Sequence, residues 1–296
     1  MKKLELKTKQ YEQLEKSFKS WLEVQNYSES TCYNLPLRIR EFLHYQEGKK
    51  KDLAAWQGSD FESFMSYYKN RKNQRKAGAL STAHINKTAH ALCLLQKYLG
   101  KLNQLDFYYK IERLKREEKE IKVFSQEQIK QLYEACDSGA FGYRNKVILG
   151  LCYGCGLRKS EAVNLELSDL WYDKALLQVR KSKTKTSRLV PLTAKLIEDF
   201  KDYQSLIRPL FLKQEKCSSF LLSNRGTAIT RQVIYLSFTK LLEEAEMPKT
   251  GLHTLRHSIA SHLAQSGMSS EQIGQFLGHK TLDSTQIYVH YKTKEL

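Results

Sequence analysis

Only 4 prolines and 14 glycines interrupt the 296 residues of this chain. Strands and turns are punctuated by these residues, so their scarcity favours long elements, and the apolar pattern makes most of those elements helices. Tyr11, Leu14, Phe18, Trp21 and Leu22 recur at helical spacing. A second helix is expected after the cap residues Ser28 to Thr31, with Leu35, Leu37, Ile39, Phe42, Leu43 and Tyr45. A third holds Phe61, Phe64, Met65 and Tyr68. A fourth follows Ser81, with Ile85, Ala89, Leu92, Leu95 and Leu99, and stops at Gly100. Residues 1–105 thus read as one four- or five-helix unit. The Lys/Arg run from Lys69 to Lys76 joins two of its helices, either as a solvated loop or as one that touches phosphate.

Residues 106–122 are mostly charged and read as an interdomain linker. Residues 123–296 form a second, mixed unit. Ser125 and Gln128 carry a capping-box signature for a helix over 125–136. Another helix runs through Val147–Tyr153, is broken by Gly154 and Gly156, and resumes over Lys159–Leu165. The period then changes: Ala175–Val179 and Arg188–Leu192 alternate as two strands joined by the polar stretch Lys181–Ser187. Helices are expected again over 193–212, 230–245, 254–266, 270–277 and 282–290. The fold class is mainly α with a small antiparallel β-sheet: an N-terminal helical domain followed by an α+β domain.

Basic residues number 49 against 32 acidic, a net charge of +17. Residues 1–122 hold +10 of it (25 basic, 15 acidic) and residues 123–296 hold +7 (24 basic, 17 acidic). Charge spread over both units points to a polyanionic partner rather than to a detachable basic tail. No run of about 18 apolar residues predicts a membrane span, and the N-terminus lacks the apolar stretch of a signal peptide. Six cysteines in so long a chain make no disulfide framework, and a reduced, cytoplasmic protein is expected. Cys152 and Cys155 form Cys-x-x-Cys without a second pair, and read as packed thiols.

Four local patterns can carry chemistry. In Gly154-Cys155-Gly156-Leu157-Arg158-Lys159-Ser160-Glu161, Glu161 is placed to orient the Arg158 guanidinium; an ordinary surface ion pair is the plain alternative. In His253-Thr254-Leu255-Arg256-His257, His253 and Arg256 share a helical face, joining a proton carrier to a fork that suits phosphate oxygens. His257 is i+4 from His253, but no Glu follows His253 and no third ligand is indicated, so zinc is not expected. Leu277-Gly278-His279 precedes Tyr288, one of 17 tyrosines and by itself an ordinary core residue. The hairpin tip carries Lys181, Lys183 and Lys185, either as a soluble turn or as a cationic probe of a DNA groove.

Singly weak, these patterns in this order are specific: Arg, hairpin Lys, His-x-x-Arg, Leu-Gly-His, Tyr, with 23 residues from Arg256 to His279 and 9 from His279 to Tyr288 (279 − 256 and 288 − 279). Together they resemble the tyrosine recombinases, the family of Cre, lambda integrase and the Xer proteins. The resemblance implies an N-terminal core-binding domain over 1–105 and a catalytic domain over 123–296. It implies site-specific recombination of the integrase, resolvase or invertase type, as mobile elements use, through a 3′-phosphotyrosyl intermediate without cofactor, ATP or metal. The implied catalytic set is Arg158, Lys183, His253, Arg256, His279 and the nucleophile Tyr288. Counting back five from Arg188 selects Lys183, with Lys181 and Lys185 as alternatives. The implied partner is double-stranded DNA, bound by a homotetramer on two sites, with a monomer expected off DNA. A topoisomerase of type IB and a non-catalytic DNA-binding protein are the competing readings. The first would use the same chemistry without partner exchange, and the intact catalytic set opposes the second.

Overall fold

The computed structural model describes residues 4–73, 77–115, 121–180, 187–213 and 217–279. The chain divides into two compact units, 1–119 and 120–296.

Unit 1 is built from α1 (Lys9–Val24), α2 (Glu29–Gly48), α3 (Gly58–Asn70) and α4 (Thr82–Lys101). Ser28 and Ser81 start α2 and α4 as expected, each hydroxyl accepting a backbone N–H three residues on. The apolar faces meet in an aromatic-rich core. Phe42 stacks on Phe61 at 4.8 Å, and Trp56 and Phe64 meet it edge-on at 4.9 and 5.2 Å. Residues 106–115, expected within a linker, belong to this core instead. Leu105 and Ile111 are buried in it, and Phe107, Tyr109 and Leu114 pack against it. Two amides fasten the segment to α4: Gln96 bonds the Tyr109 backbone in both directions, and Asn86 does the same to Leu114. Of the basic run, Arg71 turns inward to Glu41 and over the Tyr68 ring; residues 74–76 lie outside the described residues.

Unit 2 begins with α5 (Gln126–Glu134), closed by the Ser125–Gln128 capping box, and α6 (Ala140–Leu149). A π turn over Gly150–Gly154 leads to the short α7 (Lys159–Val163). The sheet has three antiparallel strands rather than two: β1 (Leu170–Trp171), β2 (Leu176–Val179) and β3 (Arg188–Pro191). Leu177 pairs with Val190 and Val179 with Arg188. Then come α8 (Ala194–Asp202), a second π turn over Tyr203–Ile207, and α9 (Arg208–Phe211). The wider turn falls just before Pro209, which has no N–H to return to the helix ladder. Next are α10 (Arg231–Glu244), α11 (His253–Gln265) and α12 (Ser270–Leu277). The core gathers Leu177, Val179 and Val190 of the sheet with Phe200, Phe220 and Phe238, while Ala260, Ala264, Ile273 and Leu277 seal α11 to α12. Cys152 and Cys155 are buried, and burial pushes the Cys152 thiol up to about 12, as suits packing. The helix expected over 282–290 lies outside the described residues. Among the described residues, no helix is long and apolar enough to cross a membrane.

Candidate active site

Three arginines from separate parts of unit 2 close on one carboxylate. Arg158 is the N-cap of α7, and the first turn of that helix returns Glu161 beneath it. Glu161 Oε2 accepts the Arg158 backbone N–H at 2.8 Å, and Oε1 accepts Arg158 Nη1 at 2.9 Å. Arg188, the first residue of β3, donates both terminal nitrogens to the same group, Nη2 to Oε2 at 2.9 Å and Nη1 to Oε1 at 3.2 Å. Arg256, one turn into α11, has Nη1 3.8 Å from Oε2. The Glu161 side chain is 2% exposed. Burial by itself would raise its pKa. The hydrogen bonds and charge of Arg188, with the two bonds from Arg158, overcome this and bring the carboxyl down to about 2.

The same arginines share a second anchor, the end of α12. Successive carbonyls of Phe276, Leu277 and Gly278 accept Arg188 Nε at 2.8 Å, Arg256 Nη2 at 2.6 Å and Arg158 Nη2 at 3.4 Å. The last carbonyls of a helix have no partner within it and form the negative end of its dipole, so three cations are their natural complement. Arg256 Nη1 also donates to the Gly156 carbonyl, linking α11 to the turn before Arg158. Gly278 closes α12 in the left-handed conformation, at φ +67°. A Cβ there would stand 2.9 Å from Arg188 Nη1 and 3.1 Å from its Cδ. The position therefore needs glycine for its backbone and for the room it leaves the guanidinium.

Three histidines lie within reach of this charge. Burial and then the charges of Arg256 and Arg158 lower the His253 pKa, outweighing Glu161. Burial, with Arg256, Arg158 and Arg188, pushes His279 down to about 4. His257 meets His253 edge-on at 5.0 Å and is also pushed down to about 4, by burial, His253 and Arg256. All three are neutral near pH 7, so each can accept a proton there. On the far side of α11, His262 Nδ1 and the Tyr153 hydroxyl are 2.9 Å apart, tying that helix to the π turn.

Of the six expected site residues, Arg158, His253, Arg256 and His279 fall in this one neighbourhood. Lys183 and Tyr288, with Lys181 and Lys185, lie outside the described residues. The sequence reading missed Arg188 as a member of the cluster and used it only as a landmark for the hairpin. A signal was present: strand alternation puts Arg188 on the face of Val190, which is fully buried, and an inward arginine needs a carboxylate.

Residues 122–295 match the phage integrase family. The chain belongs to that family and is a tyrosine recombinase, a site-specific DNA breaking and rejoining enzyme. It is 29% identical over 267 residues to the tyrosine recombinase XerD of Oceanobacillus iheyensis, spanning 89% of this chain and 88% of that protein. It is 32% identical over 169 residues to XerD of Neisseria meningitidis serogroup B, where the match spans 57% of this chain and 58% of the relative, under two thirds of its length. In fold it resembles the XerH site-specific recombinase bound to palindromic difH substrate, a post-cleavage complex, with a TM-score of 0.71 at 22% identity over 96% of this chain and 82% of that one.

Proposed function

We propose that this recombinase cuts one DNA strand at a time through Tyr288, in the manner of a XerD-type enzyme, and that Arg158, Lys183, His253, Arg256 and His279 serve that step. The phenolate oxygen of Tyr288 attacks the phosphorus and the bond to the 5′-oxygen breaks, leaving a 3′-phosphotyrosyl link. A free tyrosine, with a pKa of about 10, is a poor nucleophile at neutral pH, so the step needs an acceptor for the phenol proton and cations that favour the phenolate. His253, neutral near pH 7, takes that proton. Arg158 and Arg256 hold the non-bridging oxygens, and His279 hydrogen-bonds the same phosphate. Lys183 gives its proton to the leaving 5′-oxygen. The phosphodiester energy is kept in the tyrosyl link, and reversal onto another strand rejoins the DNA.

The observation that carries this reading is the clustering of Arg158 and Arg256 about one carboxylate and one helix end, beside two neutral imidazoles. Fixed donors aimed at a developing charge need no reorganisation during reaction, which is how such sites stabilise a transition state. Double-stranded DNA is the partner. Residues 1–105 form the core-binding domain, residues 123–296 the catalytic domain, and four copies act on two paired sites. The protein is cytoplasmic and monomeric off DNA.

The decisive experiment uses nicked suicide duplexes cut from genomic fragments on which the wild-type protein is trapped. Wild type is expected to form an SDS-resistant adduct. Tyr288→Phe is expected to bind the duplex as wild type does and to form none; an adduct with Tyr288→Phe overturns the nucleophile. Lys183→Ala is expected to cleave slowly, with recovery on a duplex whose leaving 5′-oxygen is sulfur. Recovery seen instead with Lys181→Ala or Lys185→Ala moves the acid to that residue.

A further inference from the structure

Arg188 has no part in the chemistry above, yet its side chain makes three hydrogen bonds within the cluster. Its side chain is 10% exposed. It spends Nη1 and Nη2 on Glu161 and Nε on the Phe276 carbonyl, so three of its nitrogens are engaged within unit 2. Those contacts join three elements: β3, from which it projects; α7, through Glu161; and the end of α12, through Phe276. Strand pairing fixes the base of the side chain, because Arg188 lies opposite Val179, in the last pair of the β2–β3 ladder on the side where residues 180–187 connect the two strands.

Charge makes the arrangement informative. Glu161 lies within ion-pair distance of Arg158 and Arg256, the two groups assigned to the phosphate. A buried carboxylate there competes directly with a phosphate for their charge. Arg188 occupies both Glu161 oxygens with a two-pronged bridge, the strongest geometry available to this pair. It leaves Arg256 at 3.8 Å, beyond hydrogen-bond distance. Without Arg188, the two bonds from Arg158 would be left to hold Glu161 in place beside Arg256.

We infer that Arg188 is a positioning residue for strand cleavage: it occupies Glu161 and pins the α12 end, so that Arg158 and Arg256 keep their geometry and their charge for the DNA phosphate. This role rests on the recombinase reading above. It operates on the rate of the chemical step and leaves DNA affinity, which comes from many phosphate contacts, nearly untouched.

The test measures single-turnover adduct formation and equilibrium binding on the nicked duplex trapped by the wild-type protein. Arg188→Gln is expected to bind as wild type and to cleave roughly 10²-fold more slowly, the scale of a small misplacement of catalytic groups. Arg188→Lys, which keeps the charge but not the fork, is expected to fall between. The discriminating variant is Arg188→Gln combined with Glu161→Gln. Removing the competing carboxylate should recover about tenfold of the lost rate, a coupling that a packing role would not produce. Three results overturn the inference: wild-type cleavage by Arg188→Gln, equal losses of binding and cleavage, or a double variant no faster than the single. If Arg188→Gln does not fold, Arg188→Lys carries the test: slower cleavage at unchanged affinity supports the role, and the wild-type rate overturns it. No adduct from the wild-type protein overturns the recombinase reading itself, and the role of Arg188 falls with it. A normal wild-type adduct with undiminished Arg188→Gln overturns Arg188 alone.

Discussion

Glu41 in unit 1, largely covered, and Glu161 in unit 2, buried, are both carboxylates with arginines at hand. Glu41 accepts one bond, from Arg71 Nη2 at 2.6 Å, and Arg38 contributes charge from nearby. Glu161 accepts four, two each from Arg158 and Arg188. Burial wins at Glu41, whose pKa lies above its ordinary value despite Arg71 and Arg38. At Glu161 burial pulls the same way and loses, and the carboxyl sits at about 2. The number of hydrogen bonds donated to the oxygens, more than the number of cations nearby, decides the outcome. The Glu41–Arg71 contact is a local clasp between α2 and the end of α3. The Glu161 cluster is a fixed charge assembly with arginines in surplus over the carboxylate.

The largest difference should come from removing each carboxylate. Glu161→Gln leaves buried guanidiniums without their counter-charge and should destabilise unit 2 by about 3–5 kcal/mol. Glu41→Gln removes one bond and a charge already penalised by burial, and should cost unit 1 about 1 kcal/mol or less. Denaturant titration followed by hydrogen exchange on peptides of each unit measures both, and equal losses would break the contrast. Next in size is the chemical step. Arg256→Lys should slow adduct formation by about 10²–10³, because a preorganised donor fork is lost. Arg71→Lys should cleave at the wild-type rate. A comparable rate loss from Arg71→Lys would give the unit 1 clasp a catalytic role.

Acid should separate the units in the same direction. The folded pKa of Glu161 lies below its ordinary value of 4.5, so its ionised form stabilises unit 2 above that value. That contribution, roughly 3 kcal/mol, is lost as pH falls toward 2. His257 and His279, held near 4 against an ordinary 6.5, resist protonation in the fold, so unit 2 already weakens as pH drops from 6.5 to 4. Glu41 has the opposite sign. Its raised folded value favours the protonated form, so its contribution is full at low pH and is lost as pH rises through that value. Peptides of unit 2 should therefore lose exchange protection before those of unit 1 as pH falls from 7 to 3; unit 1 opening first would contradict the assignment. The smallest effect compares two glycines with positive φ. Gly78 has nothing within 4 Å of a built Cβ, so Gly78→Ala should cost only backbone strain, about 1 kcal/mol. Gly278→Ala adds the collision with Arg188 and should slow cleavage as well as lower stability. Unchanged cleavage by Gly278→Ala would show that Arg188 can shift without consequence.

The helices of unit 1 were readable because Ser28 and Ser81 announce two of them and the core residues within the helices recur at helical spacing. Residues 106–115 were misread because their charges are conspicuous, whereas the residues that dock them, Leu105, Ile111 and Leu114, are sparse and match no regular period. The strand β1 is two residues long, too short to show alternation. At the site, residues joined within one turn of helix were legible: Arg158 with Glu161, and His253 with Arg256. Arg188 was not, because its partners are 27 and 88 residues away, and no local pattern encodes a bond that only the packed fold creates.

The end of α12 also sets a reach. Its last carbonyls are held by the three arginines, so the polypeptide that continues toward Tyr288 leaves from a point tied to the proposed phosphate site. Tyr288 lies ten positions beyond Gly278 (288 − 278). That length can span at most about 33–36 Å when extended and about 15 Å as a helix. If Tyr288 is the nucleophile proposed above, the length of this tether bounds which phosphate it can attack, and lengthening or shortening the segment is expected to move the position of cleavage.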